Sequence, residues 1–424
     1  MLGWGGLGTG TEMVQGQLLS SHPDIHVAPL DPVINPLITW MPMAARLDYR
    51  LQFTNRTGAN LNFLTGKVRM YGDDGQLMQT LGLGAEEFSE RSAFGDAVFA
   101  NGRLTVDVPN VTQDSLADMV VDVDGRIWVA GTVRHIDGLS RVALGRFHPD
   151  GRLNASFGDG GFNVSDLKGA VRGLTLNPGR TRLYVCGGTV GEISRPFVSQ
   201  HETPTGTLTQ WWGTDSAGVT RLSVGGFGLA EAIAIHSDNF ITVAGWRTAN
   251  SSRKPFVARI SPQGLPWNDF GNNGVQLVDV PGASSAQFFG VALDPSGRTV
   301  AAGVTESGGV SRMLVARLDQ DGDLDPKFGE GGFVTLGFPG FVGARASHVR
   351  RVSGGKFLVT GTVEHPNGTQ RFAVARLLGE GELDPDFGNG GRMTFGFPGT
   401  ESSTALSATE DFFGRVIISG HATS

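Results

Sequence analysis

Six short apolar runs recur along the chain, and each closes on a small residue followed by glycine. They are Ile127–Gly131, Leu183–Gly187, Ile241–Gly245, Thr299–Gly303, Phe357–Gly361 and Val416–Gly420. Their closing glycines stand 56, 58, 58, 58 and 59 residues apart. A short apolar run bounded by turn signals predicts a strand covered on both faces. A glycine at its end lets another backbone come close. Further upstream, Leu47, Tyr49, Leu51 and Phe53 alternate with polar residues, so residues 47–71 also read as strands.

A second unit lies between the runs and is clearest at residues 317–332, RLDQDGDLDPKFGEGG. With Gly322 as origin, its counterparts are Gly75, Gly151, Gly206, Gly264 and Gly381. An arginine stands five before the origin at Arg146, Arg259, Arg317 and Arg376. A bulky residue stands six after it at Leu81, Phe157, Trp212, Phe270, Phe328 and Phe387, with glycines following. The glycines permit the positive φ of a tight, multi-bend turn. The bulky residue is expected to anchor that turn over the core. Asn154, Asp325 and Asp384, three after the origin, are placed to hold it through backbone N–H groups. The arginine either pairs with that acid or lays its stem over a sheet.

Runs and turns alternate strictly, six copies of each, at a period characteristic of radial repeats. One repeat reads as four strands, at about 116–123, 126–133, 141–147 and 162–166. The last copy, about 404–421, has only the first two strands; residues 61–71 and 102–108 supply the other two near the beginning. Pairing them seals the exposed edges of the array. The expected fold is therefore all-β: a six-bladed β-propeller of four-stranded blades, closed by two N-terminal plus two C-terminal strands in the last blade. Residues 1–46, punctuated by prolines, read as an irregular N-terminal arm. Residues 47–424 form the propeller, with an insertion at about 83–100.

The stretches RLDQDGDLDPKFGEGG, RLLGEGELDPDFGNGG and RFHPDGRLNASFGDGG resemble the delta-60 repeat, a bacterial β-propeller repeat family. The resemblance covers roughly Leu61 to the C-terminus. It implies a propeller and says little of activity, because the repeat is a scaffold.

Composition narrows the function. Glycine is abundant, at 64 residues, beside an ordinary apolar content, which fits many short strands and tight turns rather than disorder. A net charge of −7 and no basic patch argue against nucleic acid as a partner. No apolar run reaches 18 residues, so no membrane span is expected. Cys186 is the single cysteine and excludes an internal disulfide; its apolar strand makes it a core residue. The start, MLGWGGLGTGTEM, lacks the basic and apolar regions of a signal peptide, which leaves the compartment open, an extracellular or cell-surface one included. Gly3, Gly5 and Gly8 fit GxGxxG, but no strand precedes them and no helix pattern follows, so a flexible lead is the better reading.

Strand alternation sorts the loops into two ends. By analogy with other propellers, ligands are expected at the loops that lead from one blade into the next. Those loops carry Arg172, Phe227, Gln287, Phe288, Phe341, Arg345 and His348, whose plainer reading is loop surface and ring packing. Trp211, beside the anchor Trp212, is a candidate for stacking on a sugar, against ordinary packing. Asp319, Asp321 and Asp323 alternate as Ca²⁺ ligands do, but Gly322 falls between the acids and other copies lack them; a solvated acidic turn fits better, and no cofactor is expected. No GxSxG, HExxH or Walker loop occurs. The sequence thus points to a non-catalytic binding or assembly propeller with a protein or glycan partner. The alternatives are a metal-dependent hydrolase or lactonase-like enzyme with a channel site, and a structural component of a surface or virion assembly.

Overall fold

The computed structural model describes residues 25–29, 51–55, 65–71, 77–84, 98–100 and 103–105, then 108, 111–191, 194–397, 399–411 and 413–423. The chain divides into two compact units, Met1–Asp107 and Val108–Ser424. In the first, β1 (Ile25–Pro29) pairs with β2 (Leu51–Asn55), β3 (Thr65–Tyr71) with β4 (Leu77–Gly84), and β5 (Val98–Ala100) with β6 (Arg103–Thr105), all antiparallel. Most of the 1–46 arm, its glycine-rich lead included, and most of the 83–100 insertion lie outside the described residues.

Among its described residues the second unit is all-β apart from one 3₁₀ turn at Ser353–Gly355. Three of its sheets have four strands in sequence order. They are β14 (Gly228–Ile235), β15 (Ile241–Ala249), β16 (Ser252–Ile260) and β17 (Val275–Leu277); β18 (Ser285–Leu293), β19 (Thr299–Ser307), β20 (Val310–Leu318) and β21 (Phe333–Leu336); and β22 (Gly343–Arg351), β23 (Phe357–Glu364), β24 (Gln370–Leu377) and β25 (Arg392–Phe395). Before them comes a seven-stranded sheet: β7 (Val111–Val121), β8 (Ile127–His135), β9 (Ser140–Phe147), β10 (Phe162–Leu176), β11 (Arg182–Thr189), β12 (Pro196–Glu202) and β13 (Val219–Arg221). It is two repeats fused, because β10 serves first as the last strand of one and then as the first strand of the next. Its register breaks between Val164 and Lys168. Arg172, expected in a loop between repeats, therefore lies within a strand. β26 (Ser402–Glu410) and β27 (Val416–Thr423) form a two-stranded sheet, and no described sheet contains strands from both ends of the chain.

The strand glycines show why the period is strict. A Cβ on Gly131, Gly187, Gly245, Gly303, Gly361 or Gly420 would lie 1.9 to 2.3 Å from a carbonyl oxygen of the preceding strand. In all six places that neighbour carries a β-bulge, centred on Ala117, Arg172, Glu231, Phe289, Ser347 and Leu406. The extra residue pushes its backbone across the pair, and only glycine leaves room.

The long turns sew each sheet to its neighbour. Phe157, Trp212, Phe270, Phe328 and Phe387 are all buried, and Arg146, Arg259, Arg317 and Arg376 lie 4.7 to 5.4 Å over the rings of their own repeats. Three of these arginines also reach the next repeat: Arg146 bonds the Thr203 carbonyl, Arg259 that of Gln320 and Arg317 that of Gly379. Backbone bonds run the same way, from Gly271 to Asp321 and from Gly329 to Glu380. Apolar clusters fill the space between successive sheets, as where Val315 and Phe328 meet Ala346 and Val359.

Cys186 is fully buried, and burial pushes its thiol well above the usual range. Three histidines make stability depend on pH. Burial lowers His201, His236 and His348 to about 4. His201 is neutral by construction: Nδ1–H donates to the Gly206 carbonyl at 2.8 Å and Nε2 accepts from Ser199 at 2.9 Å. A folded pKa below the unfolded value of about 6.5 gives stability that is present above pH 6.5 and lost as pH falls towards 4. For His201 the loss is on the order of 3 kcal/mol. Urea midpoints should therefore fall steadily from pH 7 to 4.5, and His201→Gln should flatten that slope; a flat wild-type profile contradicts this.

Candidate functional site

Because the strands alternate, the starts of β14, β18 and β22 share one end of their sheets with the β15–β16, β19–β20 and β23–β24 connections. Hairpins such as β14–β15 and the long glycine turns occupy the other. The bulges sit near the middle of the first strand of each repeat, and each adds one side chain to that strand.

Four consecutive repeats build a cluster there. The bulge residue Arg172 pairs through Nε with Oε2 of the next bulge residue, Glu231, at 3.2 Å. Glu231 Oε1 accepts the Trp246 indole N–H at 2.7 Å. Phe227 packs on Trp246 at 5.7 Å and remains 44% exposed. Arg253 lies 4.2 Å over Trp246 and donates to Gln287 Oε1 at 2.7 Å. The third bulge residue, Phe289, carries Arg345 at 4.0 Å above its ring, and the Arg345 guanidinium makes no hydrogen bond among the described residues. Partial cover of the Arg345 guanidinium by its neighbours lowers its pKa, Glu231 and Glu306 oppose that, and Arg253 adds to it, so these charges share one field. Arg172, Arg253 and Arg345 are all exposed. Guanidinium groups fixed over aromatic rings, as those of Arg253 and Arg345 are, are pre-organised for planar carboxylates.

Of the residues singled out from sequence, Arg172, Phe227, Gln287 and Arg345 come together in this cluster, though three of them lie on strands rather than loops. Phe288 is fully buried between sheets. His348 is a strand residue held neutral by burial, its Nδ1 without a partner. Phe341 stacks edge-on with His365 at 5.8 Å, away from the cluster's contacts. Trp211 is at the opposite end, 88% exposed with φ +64°. Asp319 binds the Asp321 and Asp323 amides through Oδ1, a turn-holding role, and no group of three potential metal-ligating side chains forms among the described residues. Sequence reading overlooked Trp246, Arg253 and Phe289. A bulge residue has no signature of its own, but each lies opposite the strand glycine, and that register was the available signal.

Residues 124–157, 295–328 and 355–387 match the model of a β-propeller domain of unknown function, DUF5122. These matches support a β-propeller repeat family. No curated protein matches the chain. Among solved structures, a glucose dehydrogenase-type oxidoreductase of Thermus thermophilus is 16% identical, with 74% of this chain and 92% of that one covered and a TM-score of 0.36. A gluconolactonase of Xanthomonas campestris is 14% identical, covering 77% and 95%, with a TM-score of 0.35. Drosophila semaphorin 1b, extracellular domains 1–2, is 13% identical, covering 63% and 53%, with a TM-score of 0.36.

Proposed function

We propose that this chain is a non-catalytic binding propeller that engages a protein or glycan partner bearing carboxylates. The observation that carries the reading is the row Arg172, Arg253 and Arg345, exposed at one end of consecutive sheets and fixed by Glu231, Trp246 and Phe289. Arginine and aromatic anchors dominate the binding energy of such surfaces. The metal-dependent hydrolase reading needs carboxylates converging on an ion, whereas Glu231 is engaged by Arg172 and Trp246.

Immobilised polyglutamate and polyglucuronate should retain the protein at low salt and release it as salt rises. Arg253→Ala with Arg345→Ala should weaken retention at least tenfold, about 1.4 kcal/mol, with little change in thermal midpoint. Equal retention by the double variant, or metal-dependent turnover of a lactone, counts against the reading.

The ring is proposed to be of the delta-60 kind, with six blades, the last completed on β27 by residues 61–71. Single cysteines in those two stretches, in a Cys186→Ala background, should then form a disulfide on mild oxidation. No cross-link at any register would rule this closure out.

A further inference from the structure

A cavity of about 610 Å³ opens at the hairpin-and-turn end, remote in topology from the arginine row. It lies between β14–β17 and β18–β21 and is lined by His236, Asp238, Phe240, Arg259, Trp267 and Arg351, among others. Its volume is that of small-molecule sites, roughly 300–1,000 Å³.

The repeat shows what this place ordinarily contains. In the next two sheets, Arg317 and Arg376 pair through Nε with Asp325 and Asp384 at 2.9 and 2.5 Å. In the β14–β17 repeat the same backbone position, bonded in the same way to the arginine's carbonyl, holds Trp267. The hairpin has changed too. Asp294 and Asp411 each cap their hairpin and pair with the arginine four residues on. Here those two positions are His236 and Phe240.

Arg259 is thereby left without a carboxylate. It is 7% exposed, and its Nε has no partner. Its Nη groups reach only neutral acceptors: the carbonyls of Gln320 and Gly297 at 2.8 and 2.7 Å, and His236 Nε2 at 3.4 Å. Burial lowers its pKa, with Asp238, Asp321 and Asp319 acting at longer range in the opposite sense. A buried charge without a counter-ion is unfavourable by several kcal/mol, so an incoming anion has much to gain. Arg146 also lacks an acid, since Asn154 stands there, but Trp128 and Phe157 both pack on its guanidinium.

We propose that this cavity binds a small carboxylate-bearing ligand, whose carboxylate takes the part that Asp325 and Asp384 play in the neighbouring repeats. The remaining walls define the rest of the ligand. Trp267, 37% exposed, meets Phe240 edge-on at 4.8 Å and offers an apolar flank for a ring. Arg351 adds a second cation. Asp294 is neutralised by Arg298, but Asp238 faces the cavity and disfavours a second negative charge. The ligand is a monoanion with a flat or ring-shaped body.

Calorimetric titration of the full chain with benzoate, glucuronate, benzamide and inorganic phosphate tests this. The expected result is saturable one-to-one binding of benzoate or glucuronate, with benzamide and phosphate at least tenfold weaker. Arg259→Met should lose the binding at least tenfold. Trp267→Asp restores the repeat's own acid; it should raise the thermal midpoint and abolish binding, which keeps the test decisive if Arg259→Met fails to fold. Absence of saturable carboxylate binding, phosphate binding as tight, or a Trp267→Asp variant that binds like wild type would each overturn the proposal. Arg253→Ala with Arg345→Ala should leave this titration unchanged, which separates the cavity from the other end.

Discussion

Gly303→Ala should unfold much of the protein or lower its stability by more than about 4 kcal/mol, beyond the range of ordinary substitutions. The added Cβ would sit 1.9 Å from the Gln287 carbonyl oxygen and 2.8 Å from the Phe288 Cα. Both obstacles are backbone in a bulged strand, so no rotamer change relieves them. Phe288 and Ala302 are fully buried on either side, and the cores of two sheets would have to shift with the strand. Gly331→Ala is the control: its φ is +61°, yet nothing lies within 4 Å of the new Cβ. It should cost only the left-handed penalty of about 1–2 kcal/mol. Urea unfolding of the two variants distinguishes close approach from conformational freedom.

Arg317→Met should be the most damaging of the arginine truncations, at about 3–5 kcal/mol. The side chain is 1% exposed and joins three parts of the molecule. Nε holds Asp325 at 2.9 Å, Nη2 holds Glu380 at 2.5 Å, and Nη1 donates to the Gly379 carbonyl, all over the Phe328 ring. Its removal leaves Asp325 with Arg298 as its paired cation, at 3.2 Å, and with the Lys327 amide on Oδ1. Arg317→Met with Asp325→Leu should recover part of the loss, because no charge is then buried unpaired. A double variant as unstable as the sum of the singles would show that packing, and not charge pairing, sets the value.

What was legible in the sequence was punctuation. The offsets around Gly322 specified a turn whose glycines take positive φ and whose Phe328 fills the core. The apolar runs ending at Gly131 through Gly420 specified the second strand of each repeat. These features depend on residue type. The bulges do not: Ala117, Arg172, Glu231, Phe289, Ser347 and Leu406 share no chemistry, because what repeats is a backbone displacement. For that reason the stretches leading into each repeat read as loops when much of them is strand. It also explains why Phe227 and Arg345 were visible as isolated residues while their partners Trp246 and Phe289 were not. The cavity beside Arg259 was hidden for a related reason: its sign is the absence of an expected acid, at Trp267.

Sheets joined turn to turn by arginine, aromatic ring and backbone hydrogen bond should open as one. Native-state hydrogen exchange in rising urea measures this directly. Amides in β15, β19 and β23 should converge on a single opening free energy and a single urea dependence. Arg317→Met should lower all three together. Separate isotherms for the three strands, or a loss confined to β19, would contradict the claim that the turns carry stability from one sheet to the next.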